Sequence, residues 1–99
     1  MPTFKVSAKA ASDLYEIGCY TEQKFGKKQR NTYLDQIIEQ FEQLAAQPDL
    51  GQNRQDIKSG YYSKLVGRHL IFYRKIEHRI RIIRVLHQAM DMPQHLTKS

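Results

Sequence analysis

The stretch YYSKLVGRHLIFYRKIEHRIRIIRVLH, residues 61–87, decides the fold. It contains three runs rich in β-branched and aromatic residues, at 61–66, 69–75 and 79–86. Gly67 and the pair Glu77-His78 separate these runs, so the pattern predicts three antiparallel strands joined by tight turns. Each run has apolar residues at both odd and even positions. This is typical of a sheet covered on one face and partly covered on the other.

The residues before this stretch predict a helical hairpin. Apolar residues recur every three or four positions after Ser7, and again from 27 to 46, as expected of two amphipathic helices. Ser7 is a helix N-cap residue, and Gly26 supplies the left-handed conformation that connects the helices. Pro48 forbids continuation of the second helix. Two antiparallel helices are therefore expected before the strands.

The order of the elements predicts the fold class. A short strand at 4–6 precedes the helices, and the three strands follow them. We expect a single α+β domain over residues 1–99, with a leading strand, a long antiparallel helical hairpin and a three-stranded antiparallel meander. Residues 88–99 are expected to form a partly flexible tail.

Composition and charge limit the possible classes of protein. The net charge of +6 is unevenly distributed, because residues 51–99 hold ten Lys/Arg and three Asp/Glu, whereas residues 1–50 hold six and seven. The basic half indicates either a polyanionic partner or a basic solvated surface. A single cysteine and no apolar run longer than four residues predict a cytoplasmic protein with no membrane partner. No glycine-rich phosphate loop or metal-ligand spacing is present, so no metal and no cofactor are expected.

Two groups on the first helix have ordinary structural interpretations. Asp13 and Glu16 are three residues apart and are expected to be solvated helix charges, since a catalytic pair would have to converge in a cleft. Cys19 lies near the apolar stripe, where a thiol is expected to pack as a small hydrophobe. Neither group predicts a reaction.

The last predicted strand carries the strongest candidates for functional residues. Strict alternation places Arg79, Arg81 and His87 on one face and Arg84 on the other. Six positions of strand separate Arg81 from His87 by about 20 Å, and Arg79 is farther still, which is too far for one catalytic cluster. Arg84 is expected either to form a buried ion pair with a carboxylate or to make a contact at the edge of the sheet.

Four segments together resemble the ParE branch of the ParE/RelE toxin superfamily. They are YTEQKFGKKQRNTYLDQI (20–37), LAAQPDLGQNRQDIKSGYYS (44–63), HLIFYR (69–74) and IRIIRVLHQAMD (80–91). The fold of this family agrees with the element order predicted above. The resemblance implies a type II toxin that inhibits DNA gyrase, blocks replication and is not itself an enzyme. It also implies a cognate antitoxin, ParD-like or with another acidic and partly disordered segment, in a toxin–antitoxin hetero-oligomer.

Within this interpretation, one surface is expected to bind the target or the antitoxin. We expect it to consist of Arg79, Arg81, His87, Met90 and Asp91, without direct sequence-specific binding of nucleic acid.

RelE relatives with the same fold leave an alternative open, because they are ribosome-dependent mRNA endonucleases. In that case His87 would be the acid/base, and Arg81 or Arg84 would stabilise the charge of the transition state. The residues Leu-His-Gln-Ala-Met-Asp at 86–91 favour ParE, since the ribonuclease relatives usually cluster His, Tyr and Arg there. A protein-binding module without toxic activity is a second alternative.

Overall fold

The computed structural model describes residues 3–90. The elements in chain order are β1 (Thr3–Val6), α1 (Ala8–Phe25), α2 (Lys27–Ala46), a 3-10 turn (Pro48–Leu50), β2 (Gln52–Asn53), β3 (Tyr61–Val66), β4 (His69–Ile76) and β5 (Arg79–His87). One sheet holds all five strands in the order β1-β5-β4-β3-β2, and β1 runs parallel to β5. The predicted α+β class and element order are confirmed. The two-residue strand β2 was not predicted because it is too short to show a pattern.

Ser7 ties the start of α1 to the sheet. Its side-chain oxygen accepts the N–H of Ala10 at 3.0 Å, which is the predicted N-cap. The same hydroxyl donates to the carbonyl oxygen of Ile83 at 2.7 Å. At the other end of the helix, Gly26 has a φ of 92° and is the only residue between α1 and α2. Ser7 therefore fixes the start of the helical hairpin on the sheet, and Gly26 forms the turn between its two helices.

The sheet has one fully covered face and one partly covered face, as predicted. The helices cover the first face, which we call the helix-facing side, with a core that includes Ile37, Phe41, Leu44, Ile71, Tyr73, Ile80, Ile82 and Val85. On the opposite, helix-free side, a smaller cluster joins Tyr61, Phe72 and Leu86 to the partly buried Ile57, Leu70 and Ile83. Full burial of each large apolar side chain contributes about 1.5–3 kcal/mol.

A β-bulge in β5 changes which side chains share a face. Tyr73 pairs with Ile82, but its neighbour Phe72 pairs with Arg84, so Ile83 is an extra residue on β5. A bulge of this kind interrupts the alternation of side chains along the strand. From Arg84 onward, every residue of β5 is therefore shifted by one position against β4.

The prediction that Arg79, Arg81 and His87 share one face is wrong, and the bulge is the reason. Arg81 pairs with Arg74 on the helix-free side, where Arg79 also lies, opposite Ile76. His87 lies beyond the bulge and on the helix-facing side.

A buried ion pair holds α1 against β5. The guanidinium of Arg84 donates from Nε and Nη2 to the two carboxylate oxygens of Asp13, at 2.8 and 2.9 Å. The N–H of Val85 also donates to Asp13, at 3.0 Å. The two side chains are only 15% and 10% exposed. The prediction that Asp13 is a solvated surface charge is therefore wrong, whereas the expectation of a carboxylate partner for Arg84 is confirmed.

The position of this pair follows from the sheet topology. Strand β1 pairs with β5 only as far as Ile82, so the edge of β5 beyond that point has no neighbouring strand. Asp13 accepts the edge N–H of Val85 that a longer β1 would otherwise bind. The hydrogen bonds from Arg84 neutralise the carboxylate and raise the pKa of the guanidinium.

Two side chains of α1 are more exposed than the helical pattern predicts. Cys19 is exposed rather than packed in the core. Phe25, which continues the apolar stripe, is 69% exposed.

We expect Asp13→Ala to destabilise the protein by about 2–4 kcal/mol, because it leaves a partly buried guanidinium unpaired and the N–H of Val85 without its acceptor. Urea unfolding monitored by circular dichroism measures this difference. Glu39→Ala is the matched control, since it removes an exposed helical carboxylate, and it should change stability by less than about 0.5 kcal/mol. Equal effects from the two substitutions would contradict the structural role of Asp13.

Candidate functional site

A groove of about 640 Å³ lies between the helical hairpin and the end of the sheet where β3 turns into β4 and β5 ends. Its lining is mostly apolar and includes Ile17, Tyr20, Phe25, Val85, Leu86 and Met90. Tyr20, Phe25 and Met90 are 60%, 69% and 44% exposed. Large apolar side chains grouped on a surface are typical of a binding site.

Tyr33 connects α2 to the turn between β3 and β4, at the floor of this groove. Its hydroxyl donates to the carbonyl oxygen of Val66 at 3.1 Å and accepts the N–H of Arg68 at 3.3 Å. It also lies 2.6 Å from Nδ1 of His69, within hydrogen-bonding distance. Gly67 allows this approach, because it has a φ of 57° and a Cβ there would lie 2.7 Å from the Tyr33 hydroxyl.

His69 and His87 face each other across β4 and β5. They are paired in the sheet, and their ring centroids are 5.4 Å apart at an interplanar angle of 81°. The bulge causes this alignment. Next to the β4–β5 turn, Ile76 pairs with Arg79, and if this register continued unchanged along the strands, His69 would lie opposite Leu86. Nδ1 of His87 accepts the N–H of Ala89 at 3.1 Å, which orients its ring.

The surroundings of His69 favour its neutral form. Burial lowers its pKa, and the proximity of His87 lowers it further, while Asp13 acts in the opposite direction. Burial also raises the pKa of Tyr33, although the N–H of Arg68 partly offsets that effect. The groove therefore presents an imidazole whose neutral form is favoured and a phenol among mostly apolar side chains, with Asp13, Glu16 and Arg68 as its charged lining residues.

The structure brings together some of the predicted site residues and separates others. His87 and Met90 both line the groove. Arg79 and Arg81 lie on the helix-free side of the sheet. Arg84 is bonded to Asp13, and Asp91 is outside the described residues. The expected single surface thus consists of at least two separate regions.

Several residues of the groove were not predicted as site residues. Phe25 and Tyr33 fall within the apolar repeats of their helices, so the sequence assigns them to the core. His69 belongs to no motif in the sequence, because the spacing of the histidines fits no metal site. Its pairing with His87 depends on the bulge, for which the sequence gives no clear signal.

The arrangement can bind a partner and can exchange protons. Apolar walls with a few hydrogen-bonding groups are typical of a binding groove. A neutral imidazole next to a phenol can also transfer a proton to a bound group within reach. Over residues 3–90, no three His, Cys, Asp or Glu side chains converge as they would to hold a metal ion.

We expect acid to destabilise the fold through His69. Its pKa is lowered below the ordinary 6.5 in the folded state, so the unfolded chain binds a proton at a higher pH than the folded chain does. The contribution of His69 to stability is therefore complete above about pH 6.5 and decreases as the pH falls further.

Unfolding free energies measured between about pH 7.5 and about pH 5 would show this dependence. His69→Gln should make the unfolding free energy depend less on pH, because glutamine does not titrate. His78→Gln, at the exposed turn between β4 and β5, should leave this dependence unchanged. A curve for His69→Gln that is as steep as that of the unmodified protein would rule out this origin of the acid sensitivity.

Comparison with known proteins supports the relationship that the sequence indicates. Residues 4–92 match the family model described as the ParE toxin of the type II toxin–antitoxin system parDE. Toxin ParE1 of Caulobacter vibrioides is 36% identical over 96 residues, which cover 97% of this chain and 99% of the relative. Toxin ParE1 of Mycobacterium tuberculosis is 34% identical over 94 residues, covering 94% and 96%.

Solved structures support the same fold. A chain from the chromosomal ParDE toxin–antitoxin system of P. aeruginosa superposes with a TM-score of 0.76 and 22% identity, covering 88% of this chain and 96% of that one. A chain from the toxin–antitoxin complex RelBE2 of Mycobacterium tuberculosis gives a TM-score of 0.65 at 22% identity, covering 88% and 99%. Neither helix between residues 3 and 90 is long and apolar enough to cross a membrane. On the family match and the two relatives, the chain belongs to the ParE toxin family of type II toxin–antitoxin systems.

Proposed function

We propose that this toxin arrests growth by binding DNA gyrase in the cytoplasm, without catalysing a reaction, and that a cognate antitoxin neutralises it. Membership of the ParE family supports the toxin role. The antitoxin partner is supported by the two similar structures, which come from toxin–antitoxin systems. Gyrase as the target rests on the resemblance of the four sequence segments to ParE.

The separation of Arg81 and Arg84, the two arginines expected to stabilise charge in a ribonuclease, from His87 is the observation that carries the non-enzymatic part of this proposal. Cleavage of a phosphodiester needs an acid/base and cations within hydrogen-bond reach of the same phosphate. Arg84 already makes two hydrogen bonds to Asp13, and Arg81 lies on the other face of the sheet from His87. These positions favour a binding role for the end of β5.

The groove is the surface that we assign to the target. Tyr20, Phe25 and Met90 are exposed around its apolar walls, and His87 supplies a polar group beside them. A few large apolar or aromatic residues usually provide most of the binding energy at a protein–protein interface. The groove therefore suits an apolar segment of a protein target.

Purified toxin is expected to inhibit supercoiling by gyrase at concentrations comparable to that of the enzyme. Relaxed plasmid, gyrase and ATP provide the assay, and the toxin is titrated into it. No inhibition by folded toxin in large excess over gyrase would overturn the proposal.

Changes within the groove test the assigned surface. Phe25→Ala should weaken the inhibition about tenfold, a loss within the range seen for interface anchors. Tyr15→Ala is the matched control, because Tyr15 is an exposed aromatic residue of α1 that does not line the groove. A chain that ends after Gln88 removes Met90 and should also lose potency while remaining folded. Full potency of the folded Phe25→Ala and shortened chains would contradict this assignment.

One observation favours a second candidate function, that of a ribosome-dependent mRNA endonuclease. Tyr33, His69 and His87 converge in the groove, and such groups can carry out acid–base chemistry. Induced cells would then contain cut messenger RNA, and His87→Ala would abolish the cuts. Intact messenger RNA together with active gyrase would instead indicate a binding module without toxic activity.

A further inference from the structure

We propose that the helix-free side of the sheet binds an acidic segment of the antitoxin that also carries aliphatic side chains. This inference rests on the proposed function, which supplies the antitoxin. The surface, which we call the cationic face, comprises Lys58, Arg74, Arg79 and Arg81, together with the aliphatic Leu65, Leu70 and Ile83.

The centre of the cationic face is a pair of like charges. Arg74 and Arg81 lie directly opposite each other on β4 and β5, and Arg79 lies two pairs further along, opposite Ile76. Within residues 3–90, no carboxylate is within 4.0 Å of these three arginines. Like charges directly across two strands destabilise a sheet. A bound carboxylate would relieve this repulsion, so the pair favours an anionic partner.

Buried rings hold the flanking cations in place. The guanidinium of Arg74 lies 5.9 Å from the ring centroid of Tyr61, and the ammonium of Lys58 lies 5.7 Å from the same ring. The neighbouring Arg54 lies 5.7 Å from the ring of Phe72, but its guanidinium is bonded to the carboxylate of Asp56 at 3.1 and 3.2 Å, so it is not counted in the cationic face. Positioned cations lose less conformational freedom when they bind an anion.

The apolar part of the face favours a peptide over a nucleic acid. Tyr61 and Phe72 are 4% and 0% exposed, so neither ring is available to stack on a base. The apolar groups nearer the surface are aliphatic: Leu65 is half exposed, and Leu70 and Ile83 are partly buried. Carboxylates for the arginines and aliphatic side chains for these residues are both present in an acidic amphipathic peptide.

The substitution Arg81→Glu separates binding from folding. It places a carboxylate opposite Arg74 and alters neither Arg74 nor Tyr61, the residues of the cation–π contact. The opposite charges should raise Tm by about 1–5 °C. The same substitution should weaken binding to a synthetic peptide of repeated Leu-Glu-Glu units about tenfold, as measured by fluorescence anisotropy.

Lys28→Glu is the matched control, because it changes the net charge by the same amount at an exposed position of α2. It should alter the peptide affinity by less than about twofold. Three outcomes would overturn the inference: no binding of the peptide to the unmodified protein, equal weakening by both substitutions, or tighter binding of a DNA oligonucleotide than of the peptide.

Gyrase inhibition by Arg81→Glu distinguishes this inference from the proposed function. The variant should inhibit supercoiling as strongly as the unmodified toxin, because Arg81 does not line the groove. Suppose that neither the unmodified toxin nor the Arg81→Glu variant inhibits gyrase, but the variant still binds the peptide more weakly. The proposal of gyrase as target then fails, whereas the role of the cationic face is supported. Loss of gyrase inhibition by the folded variant would assign the face to the target and overturn its role for the antitoxin.

Discussion

The contacts of Asp13 with the guanidinium of Arg84 and with the N–H of Val85 are the interactions on which the functional end of the molecule depends. Strand β1 ends before β5 does, so the last residues of β5 have no strand beside them. Asp13 fills that position with one carboxylate, which binds both the guanidinium of Arg84 and the N–H of Val85. This contact holds α1 against the strand and so fixes two walls of the groove relative to each other.

The bulge at Ile83 determines what the two faces of the sheet present. It aligns His87 with His69 on the helix-facing side and leaves Arg81 opposite Arg74 on the helix-free side. The molecule therefore has an apolar groove with a histidine pair and, separately, a face of arginines. A toxin that must bind both a target and an antitoxin can use two such surfaces.

The sequence predicts the elements well because their signals are local. Ser7, Gly26 and Gly67 each have a conformational role that depends on adjacent residues, so the helices and turns are recognisable. The bulge is not predictable, because Ile82 and Ile83 are both β-branched and apolar and either can face a core. The partner of Arg84 cannot be predicted either, because Asp13 lies 71 residues away along the chain. The site depends on these two non-local features, which is why the arginines and His87 were wrongly placed on one face.

The central claim is that Arg84 serves the fold and does not act on a substrate or target. The double substitution Asp13→Asn with Arg84→Met tests it, because it removes both charges, keeps an oxygen acceptor for the N–H of Val85 and replaces the arginine stem with an apolar side chain of similar length. The decisive measurement is growth arrest by this variant at a temperature where circular dichroism shows that it is folded. We predict arrest equal to that caused by the unmodified toxin, because the amide oxygen at position 13 still accepts the N–H of Val85 and so keeps α1 against β5. Loss of arrest by the folded variant would contradict the account and would give Arg84 a direct part in toxicity.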